Sequence, residues 1–104
     1  MQTMLILNTA PELEEDLVDY LLSLSCVTGF TSYPVRGHGN HQNLSIAEQV
    51  SGRRKRLQVE VLLQGQEVDT VLAGLAQNVG RDISWWQQPI TDSGTLDDPD
   101  QPHD

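Results

Sequence analysis

Disulfide chemistry is missing from this chain: Cys26 is its single cysteine, so no intrachain bridge can form. Cysteine this sparse suits a reducing cytoplasm. Basic residues are scarce too, six Lys and Arg against fifteen Asp and Glu, giving a formal net charge of −9. Phosphate backbones and anionic membranes repel such a protein, which excludes nonspecific binding to either by the chain as a whole. No apolar run approaches the ~20 residues of a membrane-spanning helix. The opening MQTMLILNTAPELEED lacks a basic region and has only a short apolar run. It does not read as a signal peptide, and a cytoplasmic location is expected. No Ser/His/Asp arrangement can be argued, and most carboxylates fall on a solvated helix face or in the tail, so a non-enzymatic protein is expected. A chain of 104 residues makes one domain with a modest core, to which oligomerisation would add.

The little basic charge is concentrated. Segment 35–56, VRGHGNHQNLSIAEQVSGRRKR, holds Arg36, Arg53, Arg54, Lys55 and Arg56 against one acid, Glu48, and also carries His38 and His41. Residues 91–104 carry five acids and no base, and their Asp, Gly, Pro, Ser and Thr content cannot build a core. The expected organisation is a domain over residues 1–90 followed by a disordered acidic tail.

Periodicity orders the domain. The apolar run TMLILN (3–8) reads as a buried strand. Thr9 and Glu12 fit a capping box, Pro11 suits a first turn, and Leu13, Leu17, Leu21 and Leu24 recur at helical spacing, predicting a helix over about 10–24. VTGFTSYPV (27–35) is β-branched and aromatic, with Pro34 pointing to a sheet edge or bulge. Leu57, Val59, Val61 and Leu63 alternate with other residues as in a strand. Val68, Val71, Leu72, Leu75 and Val79 form a second helical stripe, capped by Gly80, and DISWWQQPI (82–90) is a last strand. The order β-α-β-β-α-β is the ferredoxin-like α+β arrangement, two helices on one face of a four-stranded antiparallel sheet. Leu5 and Ile6, Phe30 and Tyr33, Leu62 and Leu63, and Trp85 and Trp86 supply apolar or aromatic groups to both faces. The uncovered face is therefore expected to be buried between copies of the chain.

The basic segment is the candidate site. Gly37 and Gly39 allow a close backbone approach to a ligand, and successive N–H groups there can form an anion nest. Arg54 and Arg56 share one strand face, Arg53 and Lys55 the other, and such cations clamp phosphate or carboxylate. The same charges also fit pairing with acids of the first helix or tail, or a solvated strand end that resists edge pairing. His38 and His41 could both reach a zinc or copper ion, with Glu48, Cys26 or His103 as further ligands lacking geometric support, and they equally fit exposed loop histidines. Cys26 itself fits a small buried hydrophobe better than a nucleophile.

The residues also resemble a known family. GFTSYPVRGHGNHQ is similar to the end of strand two and the start of the T-loop in PII signalling proteins, where V-[RK]-G-x-G opens the loop. RRKRLQVEVLL resembles their returning strand and EVDTVLAGLAQ their second helix, so the likeness spans about residues 3–90. The loop signature His41, Ile46, Glu48, Gln49, Val50, Gly52 and the terminal Trp86, Pro89, Ile90 resemble a small PII-like branch found with heavy-metal efflux systems. The resemblance implies a homotrimer whose sheets pack inward and a T-loop-like segment over about 36–54. It implies an adenine nucleotide in the clefts between subunits and a membrane transporter as partner. It places Gly37 and Gly39 at the loop base, next to Arg36, and Arg53, Arg54 and Arg56 would substitute for the phosphate-binding charges that the family carries elsewhere. The chain departs from the family after its second helix, where NVGRDISWW replaces the glycine- and lysine-rich phosphate loop. A second implication comes from the divalent-cation tolerance proteins of this superfamily, in which His38 and His41 would serve as metal ligands. Nucleotide and transition metal both stand as candidate ligands.

Overall fold

The computed structural model describes residues 1–38 and 54–97. The elements are β1 (Gln2–Thr9), α1 (Glu14–Ser23), β2 (Phe30–Gly37), β3 (Arg54–Gln64), α2 (Val68–Ala73), α3 (Leu75–Asn78) and β4 (Ile83–Pro89). Single 3-10 turns, Pro11–Leu13 and Gly65–Glu67, lead into α1 and α2. The sheet order is β2-β3-β1-β4, with all neighbours antiparallel. This is the ferredoxin-like α+β fold that the element order predicts. Pro34 lies in the edge strand β2, the position in a sheet where proline is tolerated.

Strand alternation builds the core on one face. Leu5 and Leu7 of β1 pair across with Val61 and Val59 of β3, and Thr9 with Leu57. These residues are buried, and Leu17 and Leu21 of α1 with Val68, Val71 and Leu75 of α2 and α3 close over them. Leu17 and Leu21 lie one helical turn apart and have no exposed surface. Full burial of such a side chain stabilises by roughly 1.5–3 kcal/mol. Glu14, Glu15 and Asp16 occupy the first turn of α1, where the helix dipole favours negative charge.

Three local expectations are corrected. The Thr9–Glu12 capping box does not form: Thr9 ends β1 fully buried, its hydroxyl donates to the Ala10 carbonyl, and Ala10 stands at the cap without a side-chain bond. The second strand starts at Phe30, because Val27 N–H bonds back to the Leu24 carbonyl in the turn after α1. The second helical stripe is split at Gly74. Tyr20 of α1 packs against the break. Its hydroxyl donates to the Val71 carbonyl at 2.7 Å, and a Cβ on Gly74 would stand 2.5 Å from the tyrosine hydroxyl oxygen. Only glycine lets the ring lie there.

Beyond β4 the chain stays near β1: Ile90 N–H bonds the Gln2 carbonyl and Ser93 Oγ donates to Gln2 Oε1. Residues 91–97 form no helix or strand. No helix among the described residues is long and apolar enough to cross a membrane.

The Tyr20 contact yields a sign test. Gly74→Ala should destabilise by about 1–2 kcal/mol through overpacking. In a Tyr20→Leu background the same change should stabilise by about 1 kcal/mol, the ordinary helix preference of alanine. Urea denaturation of the four variants reads both.

Candidate functional site

The β2–β3 register brings the two ends of the basic segment together. Gly37 lies opposite Arg54, Arg36 opposite Lys55, and Val35 opposite Arg56. Alternation then divides the cations between the sheet faces. Arg54 and Arg56 share the face away from the helices, with Gln58, Glu60 and Leu62 of the same strand. Arg36 and Lys55 lie on the helix side, in step with Pro34 and Leu57.

Arg56 is 6% exposed. Its Nε donates to Asn8 Oδ1 at 2.7 Å and its Nη1 to the Asp82 carboxylate at 2.9 Å. Its Nη2 donates to the backbone carbonyls of Asn8 (2.9 Å) and Asp82 (3.2 Å). A guanidinium has five N–H donors, and four are thereby engaged. Arg54 Nη2 reaches the other oxygen of the same carboxylate at 2.5 Å. The partner of this pair is thus Asp82, just ahead of β4, rather than an acid of α1 or of the described part of the tail. Two cations share one carboxylate, so the loop base keeps a positive balance.

From Arg56 the hydrogen bonds continue across the open face. Asn8 Nδ2 donates to Gln58 Oε1 (3.2 Å), Gln58 Nε2 to Tyr33 Oη (3.2 Å), and Tyr33 Oη to Glu60 Oε2 (2.6 Å). Every donor points the same way, from guanidinium to carboxylate. The bond to Glu60, then burial, then the carboxylate charge raise the Tyr33 phenol above its ordinary value, opposed by the Gln58 donor. Beside this chain the open face carries an apolar group: Ile6 lies between Glu60 of β3 and Trp86 of β4, and Met4 between Leu62 and Gln88. Trp86 faces this side and Trp85 the helix side, 39% and 50% exposed in the single chain.

His38 is exposed and directly follows β2. Gly39, His41 and Arg53 lie outside the described residues. Among the described residues no three His, Cys, Asp or Glu side chains gather as metal ligands. Cys26 is half-buried against the core, as a small hydrophobe would be. Sequence reasoning missed Asn8 and Asp82 as members of this region. They become neighbours of Arg56 only through the pairing of β1 with both β3 and β4, while Lys55 takes the face opposite Arg54 and Arg56, as strand alternation predicts.

Replacing Arg56 by methionine should cost about 2 kcal/mol, because Asn8 and backbone acceptors lose their donors. Asp82→Asn should cost less, since that side chain is 44% exposed and water solvates what remains. Denaturant midpoints check the order. Tyr33 is tested by pH. Its neutral form is favoured, so the contact with Glu60 contributes below pH about 10 and is lost as the phenol ionises above it. Glu60→Gln should lower the Tyr33 midpoint in an ultraviolet titration referenced to Tyr33→Phe.

Among curated proteins no sequence match was found. Solved structures share the fold. A DUF3240 family protein from Shewanella baltica OS155 is similar with a TM-score of 0.75 at 23% identity, over 91% of this chain and 96% of that one. The periplasmic divalent cation tolerance protein CutA from Archaeoglobus fulgidus gives 0.69 at 10% identity, over 89% and 87%. Arabidopsis thaliana PII bound to citrate gives 0.70 at 15% identity, over 91% and 80%. The fold is therefore the one shared by PII and CutA proteins. Residues 1–97 match the family described as "Protein of unknown function (DUF3240)", and this chain belongs to that family.

Proposed function

We propose that this protein is a non-enzymatic, cytoplasmic PII-like regulator. It binds a small anionic ligand at the base of the β2–β3 connection and signals through the T-loop-like segment 36–54, with a cation-efflux transporter as the partner. The observation that carries the reading is the register that sets Gly37 opposite Arg54 and Arg36 opposite Lys55, in an otherwise acidic chain. Gly39, Arg53 and Arg56 complete the proposed anion contacts, with Arg56 acting chiefly by holding Asn8 and Asp82 beneath the loop. The adenine nucleotide is the candidate ligand by resemblance, and a citrate-bound PII with the same fold supports an anion. Ile6, Leu62 and Trp86 on the open face support assembly of a homotrimer with that face inward.

A second reading rests on His38, exposed immediately after β2, and on the likeness to a divalent cation tolerance protein. In it His38 and His41 bind a transition metal directly.

Calorimetry with ATP, ADP, AMP, zinc and copper(I) separates the two. The regulator reading expects nucleotide heat that falls about tenfold in affinity in Arg54→Ala, the size of one charge-assisted hydrogen bond. Silence of all three nucleotides at millimolar concentration would sink the nucleotide version. Metal affinity unchanged in His38→Ala with His41→Ala would sink the second reading. Sedimentation at micromolar concentration should show a trimer, and a monomer would overturn the assembly.

A further inference from the structure

A notch of about 180 Å³ opens on the helix side of the sheet, where α2 and α3 meet the edge strand β4. Leu72, Leu75, Ala76, Ile83 and Trp85 give it apolar walls, and Arg81 stands among them. The volume is well below the roughly 300 Å³ at which small-molecule clefts begin. It suits one side chain rather than a nucleotide. Leu75 is buried, whereas Trp85 keeps half of its surface in solvent in the single chain. An indole beside such a notch offers apolar area that a contact would remove from water.

Arg81 supplies the sign of what docks there. It forms no ion pair among the described residues, and the carboxylate of the adjacent Asp82 is turned to Arg54 and Arg56. The notch therefore asks for an apolar side chain with an acid next to it. The chain itself carries that pair in Leu96 and Asp97. Leu96 is 92% exposed. It is the one leucine of residues 91–104, which hold five acids and no base. Its own notch is out of reach. Ile90 N–H and Ser93 Oγ tie the tail to Gln2, at the far end of β4. The three residues from Ser93 to Leu96 extend at most about 11 Å, whereas the strand rises about 16 Å between Trp85 and Ile90.

We propose that the notch receives Leu96 of a second copy of this chain, with Asp97 of that copy pairing with Arg81 at the rim. Docking covers Trp85 and gives the tail the role of an arm between copies. The contact lies on the helix side, away from the open face, and uses none of the loop-base residues. It therefore adds to the open-face assembly and is independent of any ligand.

Full-length protein labelled with ¹³C at its leucine methyls is unfolded and refolded together with ¹⁵N-labelled protein. In that mixture a cross-peak between the Leu96 methyls and the Trp85 indole N–H arises only between copies, and it is the expected result. Leu96→Ser should remove it and shift the Trp85 indole resonance. A peptide of residues 91–97 added to the Leu96→Ser protein should restore that resonance. Arg81→Gln should weaken the peptide about threefold, the size of an exposed ion pair. A serine in place of its leucine should weaken it more than tenfold, the size of one buried aliphatic side chain. Both residues are exposed, so the variants should fold. A trimer that lacks the cross-peak, or whose Trp85 resonance is unmoved by Leu96→Ser, would overturn the tail docking alone. A cross-peak seen in doubly labelled protein but absent from the mixture would assign the notch to the chain's own tail and overturn it too. A monomer in sedimentation would overturn both this contact and the open-face assembly.

Discussion

The guanidinium of Arg56 is the tie on which the sheet end beneath the loop depends. It is a buried cation, and burial of a charge is tolerated only when its donors find acceptors. Two side chains and two backbone carbonyls provide them, drawn from the end of β1 and the approach to β4. One residue of β3 thus fastens three strands where they meet the basic segment. Asp82 is the shared anchor, since it also holds Arg54. Its partial exposure limits the cost of burying this group.

The same tie organises the open face. Starting at Arg56, donors run through Asn8, Gln58 and Tyr33 to end on Glu60. Aligned bonds of this kind polarise one another. They make one half of the open face a fixed polar ribbon, and leave Met4, Ile6, Leu62 and Trp86 as the apolar half. A second copy docking there would meet a patterned surface, with register specified by the polar half and area supplied by the apolar half. The helix face has no such ribbon. It is a hydrocarbon core, with Arg36 and Lys55 at its margin.

The division of the cations follows from strand geometry. Side chains of adjacent residues leave a strand on opposite faces. A run of four basic residues therefore cannot act as one patch. Arg54 and Arg56 go to the Asp82 side, whereas Lys55 goes to the helix side with Arg36. Two chemically different places result from one cluster, a loop base organised by Asp82 and a helix-side margin that carries Arg36 and Lys55. The helical layer shows the same sensitivity to neighbours. Gly74 leaves the space at the end of α2 that a tyrosine from α1 fills.

Much of the fold was legible in the chain itself. The alternation of Leu57, Val59, Val61 and Leu63, the one-turn spacing of Leu17 and Leu21, and the Pro34 edge signal each follow from local geometry, because side-chain period and backbone state are properties of short segments. The opposition of the two ends of the basic segment was likewise implied once they were read as adjacent strands. The tertiary structure alone decided which partners those residues met. Asn8 and Asp82 stand 48 and 26 residues before and after Arg56 in the chain. They reach it only because β1 pairs with β3 on one side and β4 on the other. Hydrogen bonding needs position to within a few tenths of an ångström, and that precision arises from strand order and register, which periodicity does not encode.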